Sequence, residues 1–400
     1  MIRVEAAARP FPLAALLALA MTGFIAIMTE TLPAGLLPQI SQGLAVSPAL
    51  AGQLVTLYAL GSLLAAIPLI ALTRSWGRRK VLLSAIVGFF LFNTLTAISP
   101  WFSLTLLARF MAGAAAGLAW GLIAGYARRM VQPHQQGRAM AIAMTGTPTA
   151  LALGVPLGAW LGTVLSWRST FAIMSGLTLL LIIWVIAKVP DFPGQSSQQQ
   201  QPVRKVFTTP GVRPILLVIV LWMLAHNILY TYIAPFIVPA GLGNQVDKVL
   251  LVFGISALAG IGFTGLVVDR WLRGAVLLSL TAFAVAALVL AIVGNSPAAV
   301  YSCMVLWGLS FGGAPTLLQT ASADAAKQDA DVAQSMIVVA WNLAIAGGGI
   351  TGGLLLQSAG AVSFPWAVLG LLIIGLAIVW QAQRHGFKPG VRTAMGSAKC

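Results

Sequence analysis

Apolar runs long enough to cross a bilayer follow one another along almost the whole chain, at about 12–37, 49–73, 81–99, 102–127, 138–165, 168–188, 213–239, 249–268, 274–294, 298–322, 332–357 and 363–383. A spanning helix needs roughly 20 apolar residues to cross a hydrocarbon layer about 30 Å thick. Backbone groups find no water in that layer, so runs of this kind must satisfy their own hydrogen bonds as helices. The expected fold class is therefore an all-α membrane protein with 12 transmembrane helices. A chain that is 59% hydrophobic and 8% charged is not an ordinary soluble domain. The apolar run that opens near residue 12 continues well past residue 20, which marks an uncleaved first span rather than a signal peptide.

The net charge of +15 would suit nucleic acid, but the basic residues form short clusters between apolar runs. None makes a stripe along a polar helix, so no nucleic-acid partner is expected. One set of loops carries Arg74, Arg78, Arg79 and Lys80; Arg128, Arg129 and Arg138; Lys188, Arg204, Lys205 and Arg213; Arg270 and Arg273; and Lys327. Together with the two tails, this set takes all but Arg109, Arg168 and Lys248 of the 23 basic residues. Because Lys and Arg concentrate on the cytoplasmic side, both termini are expected there, in a multi-pass protein of a bacterial inner (cytoplasmic) membrane.

The longest polar stretch, Pro190 to Thr209, contains a Ser/Gln run at 196–201 and reads as a flexible tether. It divides the chain into a first six-helix bundle at 1–189, a linker at 190–212, a second bundle at 213–385 and a disordered basic tail at 386–400. The halves look like repeats. An offset of 195 residues carries Gly113 and Gly117 onto Gly308 and Gly312, and Gly154 and Gly158 onto Gly349 and Gly353. Two pseudo-symmetric bundles joined by a tether form a transporter architecture, with the site between the halves near mid-membrane. Two joined halves already make a complete unit, so the chain is expected to work as a monomer.

Of eight acidic residues only Glu30, in TETLPAGLLP (29–38), falls inside an apolar run. A carboxylate in hydrocarbon is costly, and the default reading is a functional site. Arg109 lies in the fourth span at nearly the same depth, roughly 12 Å from the outer end at 1.5 Å per residue. Pairing or electrical communication between the two is expected, either as a coupling element or as a static ion pair. Glycines at 113, 117, 121 and 125 give that span one side-chain-free face. In the seventh span Trp222, His226 and Tyr230 step by four and so share a face, with Asn227 and Thr231 beside them. This surface suits a flat or polyhydroxylated ligand, and His226 is a second candidate proton carrier or a hydrogen-bonded interior histidine. Trp120, Trp341 and Asn342 are further candidates for substrate contact, alongside Gln53, Thr56, Thr147 and Gln319; helix–helix packing is the alternative role for each. Trp76, Trp101, Trp167, Trp271, Trp366 and Trp380 sit near span ends, where they are expected to anchor at the interface.

After the second span comes Trp76-Gly77-Arg78-Arg79-Lys80, and after the eighth Gly265-Leu266-Val267-Val268-Asp269-Arg270. Together these resemble the signature loop of the major facilitator superfamily, although Ile70 and Arg74 stand where the first copy would have Gly and Asp. The resemblance implies a gating role for Gly77, Arg78, Arg79, Gly265, Asp269 and Arg270; positive-inside topology alone also explains the basic ones. Gly154, Pro156 and Gly158 of the fifth span resemble the antiporter motif of drug:proton antiporters, with Val155 splitting its Gly-Pro pair. With TETLPAGLLP, the whole chain looks most like the sugar-, arabinose- and nucleoside-efflux group. That likeness implies export of a small molecule (a sugar, a nucleoside or an amphipathic drug) in exchange for protons, by alternating access. An uptake symporter or facilitator on the same scaffold is the alternative.

Enzyme signatures are absent. Three histidines, two distant cysteines and one buried carboxylate make no metal set, no acid pair and no phosphate-binding loop, so neither an enzyme nor a cofactor is expected.

Overall fold

The computed structural model of the protein describes residues 11–73, 75–132, 135–194, 206–327 and 330–390. Arg74, His134, the Ser/Gln run at 196–201, Arg204 and Lys205 lie outside the described residues, as do all of the first ten and the last ten residues. No strand occurs among the described residues. Eleven stretches are long and apolar enough to cross a membrane. These are α1 (Leu13–Gly35), α2 (Pro48–Leu72), α3 (Arg78–Ile98), α4 (Phe102–Arg129), α5 (Arg138–Val164), α6 (Trp167–Lys188), α7 (Val212–Thr231), α8 (Val246–Val293), α9 (Pro297–Ala326), α10 (Ala330–Ser358) and α11 (Phe364–Gln381).

The 249–268 and 274–294 runs fuse into α8, whose 48 residues contain one non-helical backbone position, Trp271. A straight helix of that length would reach about 72 Å. Its ends nevertheless meet: Tyr301, just beyond α8, donates to Gln245 Oε1, just before it, at 3.3 Å. The chain therefore doubles back at Trp271. Two other spans are also interrupted. Within α5 a short π-helix, Ala150–Gly154, precedes Pro156, and α9 is broken at Gly313.

Glycines decide how closely the helices cross. Gly113 and Gly117 of α4 lie on the backbone of Tyr58 and Ser62 in α2, where a β-carbon would strike the carbonyls. Gly308 and Gly312 of α9 lie in the same way on Phe253 and Ala257 of α8. All four residues of the first set map onto the second with the 195-residue offset, so the repeat extends to the partners of the glycines. Gly121 also faces α2, at Ile70, whereas Gly125 has nothing against it. A second row, Gly146, Gly154, Gly158 and Gly162 of α5, seats α1 along Ala20, Met28, Leu32 and Leu36. The two halves meet where α2 runs along α10, α5 along α8, and α1 against α7.

Two expectations need correction. The segment after residue 385 was expected to be a disordered tail, but Phe387 is fully buried and its carbonyl accepts from Arg273 Nη1 at 3.2 Å. Gly211, held at φ +96°, lets the start of α7 approach the His385 carbonyl closely. The described ends of the tether are held through Asp191 and the buried Val206, and the Ser/Gln run between them lies outside the described residues. Trp167 is not an exposed anchor either: it is buried beside Phe171 and Gly43, with the Arg168 guanidinium 4.2 Å from its ring. The other five end-of-span tryptophans are exposed.

Candidate functional site

Arg109 is fully enclosed in the first half. Its Nη2 donates to the Thr29 carbonyl and its Nε to the Leu54 carbonyl at 3.5 Å. The guanidinium carbon stands 5.0 Å from the Tyr58 ring centre and 5.7 Å from that of Phe171. Tyr58 Oη donates to the Ala26 carbonyl at 2.8 Å, and Asn93 Nδ2 to Thr29 Oγ1 at 2.9 Å. Residues 26–29 are thus held from α2, α3 and α4, and Glu30 comes next. The Glu30 carboxyl is partly exposed and forms neither a hydrogen bond nor an ion pair with the described residues. It interacts electrostatically with Arg109, Tyr58 and Tyr230. Of the two expected relations between Glu30 and Arg109, the static ion pair is not formed among the described residues.

Tyr230 belongs to α7, so the field of Glu30 crosses between the halves. There His226 and Tyr230 are walled in by rings from α8 and α9. His226 lies flat on Phe311, with ring centres 3.6 Å apart and 7° between planes. It stands 5.0 Å from Tyr230, 5.2 Å from Trp307 and 5.8 Å from Phe253. Trp307 in turn stacks on Phe283 at 5.4 Å. His226 Nδ1, Tyr230 Oη, Trp307 Nε1, Trp222 Nε1 and Thr231 Oγ1 are all buried without a hydrogen-bond partner. Each such group ordinarily costs about 1–3 kcal/mol, so several together in one aromatic cluster call for an explanation. Phe253, Trp307, Phe311 and Phe283 were not singled out from the sequence. The available signal was the i, i+4 pair Trp307 and Phe311 on the span whose Gly308 and Gly312 pack on α8.

The remaining sequence candidates are scattered. Asn227 and Asn342 spend their amides on carbonyls of their own helices, Met223 at 2.8 Å and Val338 at 2.9 Å. Trp341 packs with Val55, Ala59, Ile345 and Ala346 at the α2–α10 seam. The ring of Trp120 faces Gly23 of α1. Gly154 and Gly158 form part of the α1 seat, and Pro156 is buried between them.

At the basic end, the first gating-loop copy finds an acid from elsewhere in the chain. Asp191 Oδ1 accepts from the Arg79 backbone N–H at 2.9 Å, and its other oxygen lies where a β-carbon on Gly77 would crowd it. Arg78 N–H donates to the Phe192 carbonyl at 2.8 Å, and Tyr126 Oη to the Pro190 carbonyl at 2.6 Å. The N-terminus of α3 is therefore tied to the start of the tether, and a carboxylate there suits the helix dipole. In the second copy Asp269 and Arg270 are exposed, and a side chain on Gly265 would meet nothing.

At the opposite end the halves are joined through Tyr232 and Gln53, whose Nε2 also donates to the Gly349 carbonyl at 3.2 Å. Tyr232 Oη donates to the Gly349 carbonyl at 2.8 Å, with the Ala49 carbonyl at 3.2 Å, and accepts from Gln53 Nε2 at 3.2 Å. Gly52 of α2 and Gly352 and Gly353 of α10 form the slot around its ring.

The Major Facilitator Superfamily model matches residues 19–349. The chain is 30% identical to the "Purine ribonucleoside efflux pump NepI" of Shigella dysenteriae serotype 1 (strain Sd197), over 89% of this chain and 91% of that protein. The protein of the same name from Escherichia coli O157:H7 is 29% identical, over 89% of this chain and 90% of its own length. Among solved structures, a bacterial homolog of the human lysosomal transporter Spinster, inward-facing and unoccupied, superposes with a TM-score of 0.73 at 14% identity, covering 97% of this chain and 100% of that one. The inward-facing, occupied form gives 0.70 at 16% identity, covering 94% and 98%.

Proposed function

Since the chain belongs to the major facilitator superfamily, and is a membrane transporter rather than an enzyme, we propose that it exports a purine nucleoside from the cytoplasm in exchange for protons, by alternating access. On this reading α8 is two spans hinged at Trp271, which makes twelve, with the basic end and both termini in the cytoplasm of a bacterial cell. The Tyr232 seal then closes the outer side and leaves the site to be reached from the cytoplasm.

One observation carries the proposal. The rings of His226, Tyr230, Phe253, Trp307 and Phe311 close on one another, and His226 Nδ1, Tyr230 Oη and Trp307 Nε1 among them are buried without a hydrogen-bond partner. A purine is flat on both faces, stacks on rings and presents donors and acceptors at its edges. His226, Tyr230, Trp222, Trp307, Phe253 and Phe311 contribute the base site, and Glu30 with Arg109 the coupling site. His226 has only rings around it, so stacking suits it better than carrying the proton. Hydrocarbon favours neutral Glu30 and the guanidinium favours the carboxylate, so the proton is held or released according to the distance between them. Coupling then requires that proton and substrate each bind one of the two states more tightly.

The test is uptake of radiolabelled inosine into inside-out vesicles under an imposed proton gradient. Wild type accumulates it and Glu30→Gln loses the dependence on the gradient. Gradient-driven movement toward the cytoplasmic face would make the protein an importer, and no movement of nucleoside while a sugar or an amphipathic cation is carried would overturn the substrate class.

A further inference from the structure

Pro33 lies inside α1, three residues beyond Glu30. A proline has no N–H, so the carbonyl four residues back loses its helical partner, and here that carbonyl belongs to Thr29. It is the same carbonyl that receives Arg109 Nη2. The rest of the guanidinium is poorly served, since Nε reaches Leu54 only at 3.5 Å and the buried Nη1 has no hydrogen-bond partner. An enclosed guanidinium needs charge or carbonyl oxygen around it. The Ala26 carbonyl and Thr29 Oγ1 are taken by Tyr58 and Asn93, which leaves α1 the backbone oxygen of residue 29 and the side chain of residue 30 to offer the guanidinium.

We propose that Pro33 is a positioning residue of the coupling site: by stripping the Thr29 carbonyl of its helical partner, it gives Arg109 a second acceptor in competition with the Glu30 carboxylate. This rests on the reading of Glu30 as the proton carrier. With the guanidinium on Thr29, Glu30 is free to hold a proton. When Glu30 releases that proton to the water-filled side of the site, the guanidinium moves one residue along to the carboxylate. The Thr29 carbonyl is then vacated and α1 loosens at its proline. The titratable or charged groups facing this part of α1 are Arg109 from α4, Tyr58 from α2 and Tyr230 from α7. The helices α3, α5 and α6 contribute Asn93, a glycine face and Phe171, none of which titrates.

The experiment is the pH profile of proton-driven nucleoside transport in proteoliposomes for wild type, Pro33→Ala and Pro33→Gly, with Glu30→Gln as control. Either substitution restores an N–H to close on the Thr29 carbonyl and leaves Arg109 to Glu30 alone. The pH of half-maximal rate should fall by about one unit in both, a roughly tenfold change in proton affinity. Infrared titration of the Glu30 carboxyl, with Glu30→Gln as blank, reads the same midpoint in any variant that folds but does not transport. An unchanged midpoint in both variants overturns the inference, and so does a shift in Pro33→Ala alone, which would trace to helix stiffness. If Glu30→Gln keeps the wild-type pH profile, the coupling reading falls and the inference with it. If that control behaves as expected and the proline variants do not, only the inference falls.

Discussion

Phe311 lies flat on His226, closing one wall of the aromatic box, and no hydrogen bond depends on it. Replacing Phe311 with Ala removes a stacking partner while leaving every polar group of the site in place. An aromatic pair of this kind is worth about 0.5–1.5 kcal/mol beyond the area it buries, and 1.4 kcal/mol is a factor of ten in affinity. The expected outcome is a KM for nucleoside raised about tenfold, with the pH profile unmoved because Glu30 and Arg109 are untouched; initial-rate kinetics in vesicles at several pH values check both parts. At this scale the sequence is informative where a residue is out of place. Glu30 and Arg109 stand out because charges are rare in hydrocarbon, and Trp222, His226 and Tyr230 because polar-tipped rings recur every four residues. Phe253, Trp307 and Phe311 do not stand out, since an aromatic residue in an apolar span looks the same whether it packs a core or walls a site. The acceptor that Arg109 chose was also beyond sequence reading, because a backbone carbonyl carries no letter of its own.

Among the helices, the contact between α2, α7 and α10 is the one that a conformational cycle has to break. The Tyr232 ring occupies a slot lined by Gly52, Gly352 and Gly353, and its hydroxyl bridges Gln53 and the Gly349 carbonyl. Tyr232→Phe keeps the ring and removes the hydroxyl's cross-seam contacts with Gln53 and the Ala49 carbonyl, each worth about 1 kcal/mol, while Gln53 Nε2 stays on the Gly349 carbonyl. The balance between states should shift roughly tenfold or more toward the form with this end open. Gly52→Ala should act in the same direction by filling the slot. Spin labels on the ends of α2 and α10 beside the slot would read the population; a distance distribution equal to wild type in both variants would remove Tyr232 from the seal. The glycine spacing of these helices was visible in the sequence, and so was the 195-residue repeat that aligns Gly158 with Gly353. The partners were not. Gly158 meets Leu32 within its own half, whereas Gly353 meets Tyr232 of its own half and Gln53 across the seam. Spacing identifies a bare helix face, and only the packed molecule determines what fills it.

For the molecule as a whole, the question is which end faces the cytoplasm, because that decides whether the Tyr232 seal closes the outer or the inner side. Charge placement and packing bear on it together. Arg138 lies against Phe11 near the chain start, and Arg273 donates to carbonyls of Val379, Trp380 and Phe387 near the chain end, so the described parts of both termini sit among the basic loops. Arg168 and Lys248 belong to the opposite end, where Arg168 donates to the carbonyls of Ala97 and Ser99. Lys and Arg resist translocation across the membrane, so the proposed topology has the crowded end inside. In a background with Cys303 and Cys400 replaced by Ser, Lys248→Cys should react with a membrane-impermeant maleimide on intact cells. Lys188→Cys and Arg384→Cys should react only after the cells are broken open. All three parent side chains are exposed, so a failure to label would reflect sidedness and not burial. The reverse pattern would turn the molecule over. The Tyr232 seal would then close the cytoplasmic side, the box would open outward, and the exporter reading would lose its route for loading substrate from within.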